Sequence, residues 1–242
     1  MALIFDEQFE ATGYDETSAG AGGNWAEALG GGTIDEDYAT SSVTGAPASW
    51  GNQCLRMVNA NEAQDASNYL DSEYTGDFYF RGDFIIPDLS DITSTNGYLI
   101  QIFDSAWSTV WRAVVYDNSG TKTLFFYIGN VTGQVGDTEI AANTRYRIDA
   151  YFNSTTGDYE IKLNGVSKAS GNDSVRVSQY IFLYSYTADG FEIFFDNIQI
   201  ATDGWVPEDV AGGGWTGKIC GVTNPSKICG AAVANISKVS GV

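Results

Sequence analysis

Between positions 145 and 152 the chain alternates cleanly. Tyr146, Ile148, Ala150 and Phe152 fall on one side, and Arg145, Arg147 and Asp149 on the other. A period of two is what a half-buried strand needs, because successive side chains point to opposite faces. After a turn-rich interval, 153–158, the alternation resumes in Tyr159, Ile161 and Leu163 against Glu160 and Lys162, and Asn164-Gly165 closes it. Asn-Gly between two such runs predicts a hairpin, since a type I′ turn needs positive φ at both central positions. The run 191–200 (FEIFFDNIQI) is apolar on both sides, which places it centrally in a packed sheet. Its polar interruptions, Asp196 and Asn197, are the residues that need explaining.

The same reading along the rest of the chain predicts strands at 2–9, 54–58, 77–86, 98–104, 111–116, 124–128 and 179–186. Pro87 stops the third of these, and 117–121 (DNSGT) has the composition of a tight turn. The stretch 10–33 reads as a loop, with one short turn of helix at 25–29. About ten short strands at even spacing, without competing helical periodicity, predict an all-β chain. The fold class is a two-sheet antiparallel jelly-roll sandwich with a short β-rich C-terminal appendage.

Composition sharpens this picture. A chain of 242 residues can bury a large core, and 14% aromatics with 28 Gly and 4 Pro suit an aromatic-cored sandwich with many turns. Twelve Lys+Arg against 31 Asp+Glu give a net charge of −19, scattered rather than in runs. That balance argues against nucleic acid or an anionic membrane, both of which select basic patches. There is no histidine, so the commonest general base and the commonest transition-metal ligand are both missing. Three cysteines do not make a disulfide framework. No signal-peptide pattern opens the chain, so synthesis in the cytoplasm without export by that route is expected.

Composition shifts after Asp203. The segment 204–215 (GWVPEDVAGGGW) reads as a Gly-rich linker between a body at 1–203 and a tail at 216–242. The tail has three Lys and no acids, and repeats itself as Lys218-Ile219-Cys220-Gly221-Val222, Lys227-Ile228-Cys229-Gly230-Ala231 and Lys238-Val239-Ser240-Gly241-Val242. Cys220 and Cys229 hold equivalent places, either facing one another in a hairpin or packing as small apolar residues, and the second reading is preferred. A segment this small does not fold alone.

The order of FDEQFE, FYFRGDFIIP, RYRIDAYFNSTTGDYEIKLNG and FEIFFDNIQI over about residues 3–202 resembles the concanavalin A-like lectin/glucanase superfamily. The resemblance implies two curved antiparallel sheets with a concave ligand face. The tail resembles the repeat endings of bacteriophage structural proteins. Together they imply a virion component of a tailed phage, such as a head fibre, capsid decoration or tail-associated protein, that displays a lectin-like domain on the particle surface. Expected partners are other virion proteins through the tail, a host or environmental glycan, and further copies of the chain, with a trimer guessed by analogy. A free-standing carbohydrate-binding module, or a polysaccharide hydrolase or lyase of the same fold, is the alternative.

Candidate site residues follow. Surface aromatics stack on sugar rings, and Trp107, Trp111, Tyr116, Tyr127, Tyr184 and Tyr186 are the candidates, with Trp107 in its loop-like setting (DSAWS) foremost. The plainer reading of each is a packing residue. Calcium takes carboxylate and amide oxygens. In modules of this kind the closing strand shares a metal site with the first strand, which implies Asp196 with Glu7 or Glu10. No cofactor is otherwise required. Glycosidase chemistry needs two acids about 5–10 Å apart; alternation offers Asp83, Asp104, Asp149, Glu160 and Glu192. The ExDxxE spacing of the superfamily's glucanases is missing, and the QxH strand of its lyases cannot exist without histidine. The chain is therefore expected not to be an enzyme.

Overall fold

The computed structural model describes residues 3–9, 26–28, 33–59, 64–92, 97–129, 135–186, 191–206, 218–219, 222–223, 227–228 and 231–232. The chain divides into two compact units, Met1–Ala46 with Trp50–Val206, and Pro47–Ser49 with Pro207–Val242. The strands of the first unit are β1 (Leu3–Glu7), β2 (Ala26–Ala28), β3 (Thr33–Ala39), β4 (Gln53–Val58), β5 (Gln64–Tyr74), β6 (Asp77–Ile85), β7 (Gly97–Phe103) and β8 (Thr109–Asn118). They continue with β9 (Thr121–Ile128), β10 (Val135–Glu139), β11 (Tyr146–Asn153), β12 (Asp158–Leu163), β13 (Val166–Asn172), β14 (Ser178–Tyr186) and β15 (Glu192–Ala201).

Strand β15 lies inside the first sheet, as its apolar character on both faces requires. The order is β13-β12-β11-β6-β15-β4-β3, with β1 also paired to β15. One edge of β15 meets β6; the other is shared by β4, opposite residues 192–195, and β1, opposite residues 198–201. The second sheet runs β10-β9-β8-β7-β14-β5-β2. Every pairing is antiparallel, so the unit is a two-sheet antiparallel sandwich of the jelly-roll class. The two tightest hairpins use the predicted turn chemistry. Ser119 and Gly120 have φ of 56° and 97°, and Asn164 and Gly165 have φ of 50° and 77°.

The inner faces meet in one aromatic core. Phe80, Phe84, Ile148 and Ile161 from the first sheet are at most 1% exposed, and so are Trp111 and Phe126 from the second. Trp111 sits edge-on to Phe80 at 5.2 Å and parallel to Phe152 at 6.2 Å, bridging the sheets. Burying each such ring contributes about 1.5–3 kcal/mol of transfer free energy.

Four strands have no counterpart in the alternation reading: β3, β5, β10 and β13. The sequences of β5 (QDASNYLDSEY) and β13 (VSKASGN) are too polar to show a period of two, and β13 and β10 are sheet edges, where one-sided burial weakens the pattern. The turn of helix expected at 25–29 is instead strand β2, which pairs with β5. Trp205 and Val206, read as the start of a linker, belong to the first unit.

In the second unit, Lys218–Ile219 (β16) pairs with Val222–Thr223 (β17), and Lys227–Ile228 (β18) with Ala231–Ala232 (β19). Each of the first two repeats thus forms its own short hairpin. Cys220, Cys229 and the third repeat lie outside the described residues.

The outer face of the first sheet is largely closed. Val43, Trp50, Cys54, Ile85 and Phe194 form a second, smaller core on it. Beside that core, Arg81 Nε and Arg147 Nε donate to the two oxygens of Asp149 at 2.8 and 2.9 Å, and Arg81 Nη2 donates to the Val206 carbonyl at 2.5 Å. Trp205 meets Tyr79 edge-on at 5.3 Å, with Lys162 Nζ 3.6 Å from its ring centroid.

Asp196 and Asn197 are explained by the register. Asp196 stands opposite Asp83, whereas Gln199 stands opposite Arg81, so β15 carries one extra residue against β6. This is a β-bulge, and Asn197 occupies it with a φ of 52°. Asn is among the few residues that adopt this left-handed conformation readily. Its backbone N–H donates to Asp196 Oδ1 at 2.6 Å, and its Nδ2 donates to Asp83 Oδ2 at 3.1 Å. Replacing Asn197 by Ala should lower unfolding stability by ~1–3 kcal/mol, because the strained conformation persists and the amide contact is lost. Asn197→Gly should cost less, since glycine adopts the conformation freely. Urea denaturation of both variants checks this; equal losses would contradict it.

Candidate functional site: an aromatic face on the second sheet

Residues of β7, β8, β9 and β14 that alternate with the core positions turn away from the core. The aromatic ones are Tyr98 and Phe103 on β7, Tyr116 on β8, Phe125 and Tyr127 on β9, and Tyr180, Phe182 and Tyr184 on β14; Phe125 is fully buried and the others are partly exposed. Pairing sets Tyr180 opposite Phe103, Phe182 opposite Gln101, Gln101 opposite Arg112, and Arg112 opposite Tyr127. Cross-strand neighbours on one face are close enough to touch. Phe182 stacks on Tyr184 at 5.7 Å and meets Phe103 edge-on at 5.4 Å, while Phe125 meets both Tyr116 and Tyr127 edge-on near 5 Å. Arg112 lies between Tyr98 and Tyr127, its guanidinium carbon 5.0 and 4.4 Å from the two ring centroids.

One end of this face is built by the loop between β7 and β8. Asp104 Oδ1 accepts from the N–H groups of Ala106 and Ser108 at 2.9 and 2.8 Å, and Trp107 N–H donates to the Asp104 carbonyl at 3.0 Å. Arg176 Nη1 holds the other Asp104 oxygen at 3.4 Å. The loop forces Trp107 to a φ of 63°, rare for a bulky side chain. Its indole lies flat on Tyr180, with centroids 4.3 Å apart and planes within 9°, yet remains 56% exposed. A rigid, flat, accessible ring at the end of an aromatic row is the result.

Of the sequence candidates, Trp107, Tyr116, Tyr127 and Tyr184 are brought together here. Trp111 is not: it is fully buried on the inner face of β8, so it leaves the surface set as a core residue. The side chain of Tyr186 lies outside the described residues. Alternation alone missed Tyr98, Phe103, Tyr180, Phe182 and Arg112, although Tyr180, Phe182 and Arg112 share parity with a named candidate and Tyr98 sits opposite Tyr186. Apolar residues on both faces of β14 and β9 hid which face was the core.

The carboxylates behave differently. Asp83, Asp149, Glu160 and Glu192 lie on the outer face of the first sheet, and all are paired. Asp83 Oδ2 accepts from Trp50 Nε1 at 3.0 Å and from Arg145 Nη2 at 2.6 Å, while Glu192 meets Arg56 at 2.5 Å and Glu160 meets Lys162 at 3.6 Å. Burial pushes the Asp83 carboxyl above its ordinary range against the opposing pull of Arg145. Asp104 supports the Trp107 loop.

Glu7 and Asp196, two of the expected calcium ligands, turn to different faces of the first sheet. Glu7 stands opposite the core-facing Ile198, with Oε1 accepting from Phe9 N–H, whereas Asp196 stands opposite Asp83 on the outer side. Glu10 lies outside the described residues. Among the described residues no group of three or more His, Cys, Asp or Glu side chains is placed to hold a metal.

No protein-family profile and no curated protein matches the sequence. Solved structures do match in fold. The carbohydrate esterase of Shiga toxin-encoding bacteriophage phi24B aligns with a TM-score of 0.60 at 8% identity, covering 84% of this chain and 99% of its own. Cellulose induced protein Cip1 aligns at 0.59 and 15% identity, over 84% and 98%. The globular domain of T. cruzi calreticulin aligns at 0.56 and 10% identity, over 84% and 89%. A sialidase of which this chain spans 16% also matches, at 0.49 and 10% identity. At these identities the likeness shows the jelly-roll fold alone. It nevertheless corrects the expectation that the chain is not an enzyme. A carbohydrate esterase is among the matches, so missing histidine and missing acid spacing do not exclude catalysis.

Proposed function

We propose that the aromatic face of the second sheet binds a glycan, and that the chain displays this face on a bacteriophage particle. The observation that carries the first part is Trp107. An indole held at a φ of 63° and still 56% exposed is costly to a fold that gains nothing from it. A ligand with a flat apolar face supplies the missing partner, and a pyranose ring presents such a face through its axial C–H groups. The stack on Tyr180 fixes the ring before binding, so little freedom is lost when the sugar arrives. Phe182 and Tyr184 continue the row along β14, giving a length that suits more than one sugar unit. The carbohydrate esterase and the cellulose-induced protein share the sandwich, which is compatible with this reading.

Placement on a particle rests on the repeat tail at 216–242 and its resemblance to phage structural endings. Apolar residues recur through it at Ile219, Val222, Ile228, Val233, Ile236, Val239 and Val242. That regularity fits a segment that buries its apolar surface against other chains, since backbone ordering costs about 1–2 kcal/mol per residue and a lone segment of this size cannot offset it.

Two experiments test the two parts. In a glycan-array and calorimetric screen, Trp107→Ala should weaken binding of any captured glycan about tenfold or more while the melting temperature stays nearly unchanged, because the ring is exposed. Binding unaffected by Trp107→Ala and by Phe182→Ala would refute the assignment of the face. For the tail, light scattering should give an oligomer for the full chain and a folded monomer after truncation at Ala211. Monomers in both cases would refute the assembly role.

A further inference from the structure

The aromatic face carries one cation that the rest of the molecule does not explain. The chain has six arginines, at positions 56, 81, 112, 145, 147 and 176. Five are matched to carboxylates: Arg56 to Glu192, Arg81 and Arg147 to Asp149, Arg145 to Asp83, and Arg176 to Asp104. Arg112 has no hydrogen bond or ion pair among the described residues, and its Nε is buried with no acceptor. Its close partners among the described residues are the Tyr98 and Tyr127 rings, 5.0 and 4.4 Å from the guanidinium carbon. Aromatic faces hold a guanidinium in place without satisfying its N–H groups, which lie in the plane of the charge. A half-buried guanidinium fixed by rings and lacking an acceptor among the described residues is set up for an anion from outside.

We infer that the ligand of this face bears a carboxylate that Arg112 receives: an acidic sugar, such as a uronate or a sialate, rather than a neutral one. This rests on the glycan reading of the aromatic face and names the class of sugar it selects. The planar fork of a guanidinium matches a carboxylate by two parallel hydrogen bonds, which a hydroxyl cannot reproduce.

The surrounding charge narrows the class further. The described acids on β8, β9 and β10 are Asp117, at the far end of Arg112's own strand, and Asp137 and Glu139, both exposed on edge strand β10. Lys122 on β9 is already held by Asp117 and the Ile92 carbonyl. One cation on a protein of net charge −19 suits one carboxylate at a time. A polymer with a charge on every ring would bring its remaining carboxylates within about a Debye length, ~8 Å, of an acidic surface. The favoured ligand therefore spaces its acidic ring with neutral sugars or carries it at a chain end.

The test titrates the full-length chain with gellan and hyaluronan oligosaccharides and with sialyllactose, each beside its carboxyl-reduced twin. At least one acidic form should bind about tenfold or more tightly than its twin. Arg112→Gln should bring that ratio close to one, and Arg112→Lys should keep part of it. A merely structural role for Arg112 would change the melting temperature and leave the ratio alone, which overturns the proposal. If Arg112→Gln does not fold, a ratio that Arg112→Lys leaves fully intact likewise counts against a paired guanidinium contact. A twin that binds as tightly as its acidic parent, or capture of neutral glycans only, overturns the acidic-sugar inference and leaves the glycan face standing. No binding to any acidic or neutral member defeats both.

Discussion

A strand has two faces, and a sandwich of two sheets buries only one face of each sheet in its shared core. Every other feature of this molecule is a way of dealing with the two faces that remain. The first sheet closes its outer side, using the small cluster around Trp50 and Phe194, the Arg81–Asp149–Arg147 ion pairs and the Trp205 cover. The second sheet lines its outer side with rings, most of them partly exposed and Phe125 fully covered, with Trp107 exposed at one end. The asymmetry locates the candidate site more firmly than any single residue does.

The closed face shows how polar groups enter an interior. Asp83, fully buried, collects donors from Trp50, Arg145 and Asn197, and the bulge at Asn197 brings the last of these into reach. Buried ion pairs of this kind contribute less to stability than their number suggests, because desolvation opposes them. Their effect here is positional: they fix the register of β6, β11 and β15 against one-residue slips, which would turn every core side chain outward.

Alternation exposed this architecture only where one face was polar. In β11, arginine and aspartate on one side against Tyr146, Ile148 and Phe152 on the other made both strand and core face legible, and Asn164-Gly165 gave its hairpin. In β8, β9 and β14 both faces are apolar or aromatic. The strands could be found, but not which ring faced which way, so Trp111 was grouped with Trp107 although the structure sends it to the core. Register settles that question, and register depends on bulges, such as the shift between Tyr98 and Ile100, that no local pattern announces. Arg112 was passed over for a related reason: an arginine beside 31 acids reads as paired until its neighbours prove to be two tyrosines.

The central claim is that the open face, and not the closed one, receives a sugar. The most direct measurement is an NMR titration of the isotope-labelled chain with a gellan oligosaccharide, following the ring and indole signals assigned to each face. The account predicts concentration-dependent shifts for Trp107, Tyr180 and Phe182 and for the Arg112 side chain, with Trp50, Tyr79 and Trp205 unmoved. Shifts confined to Tyr79, Tyr151 and Trp205 would place binding on the first sheet and contradict it.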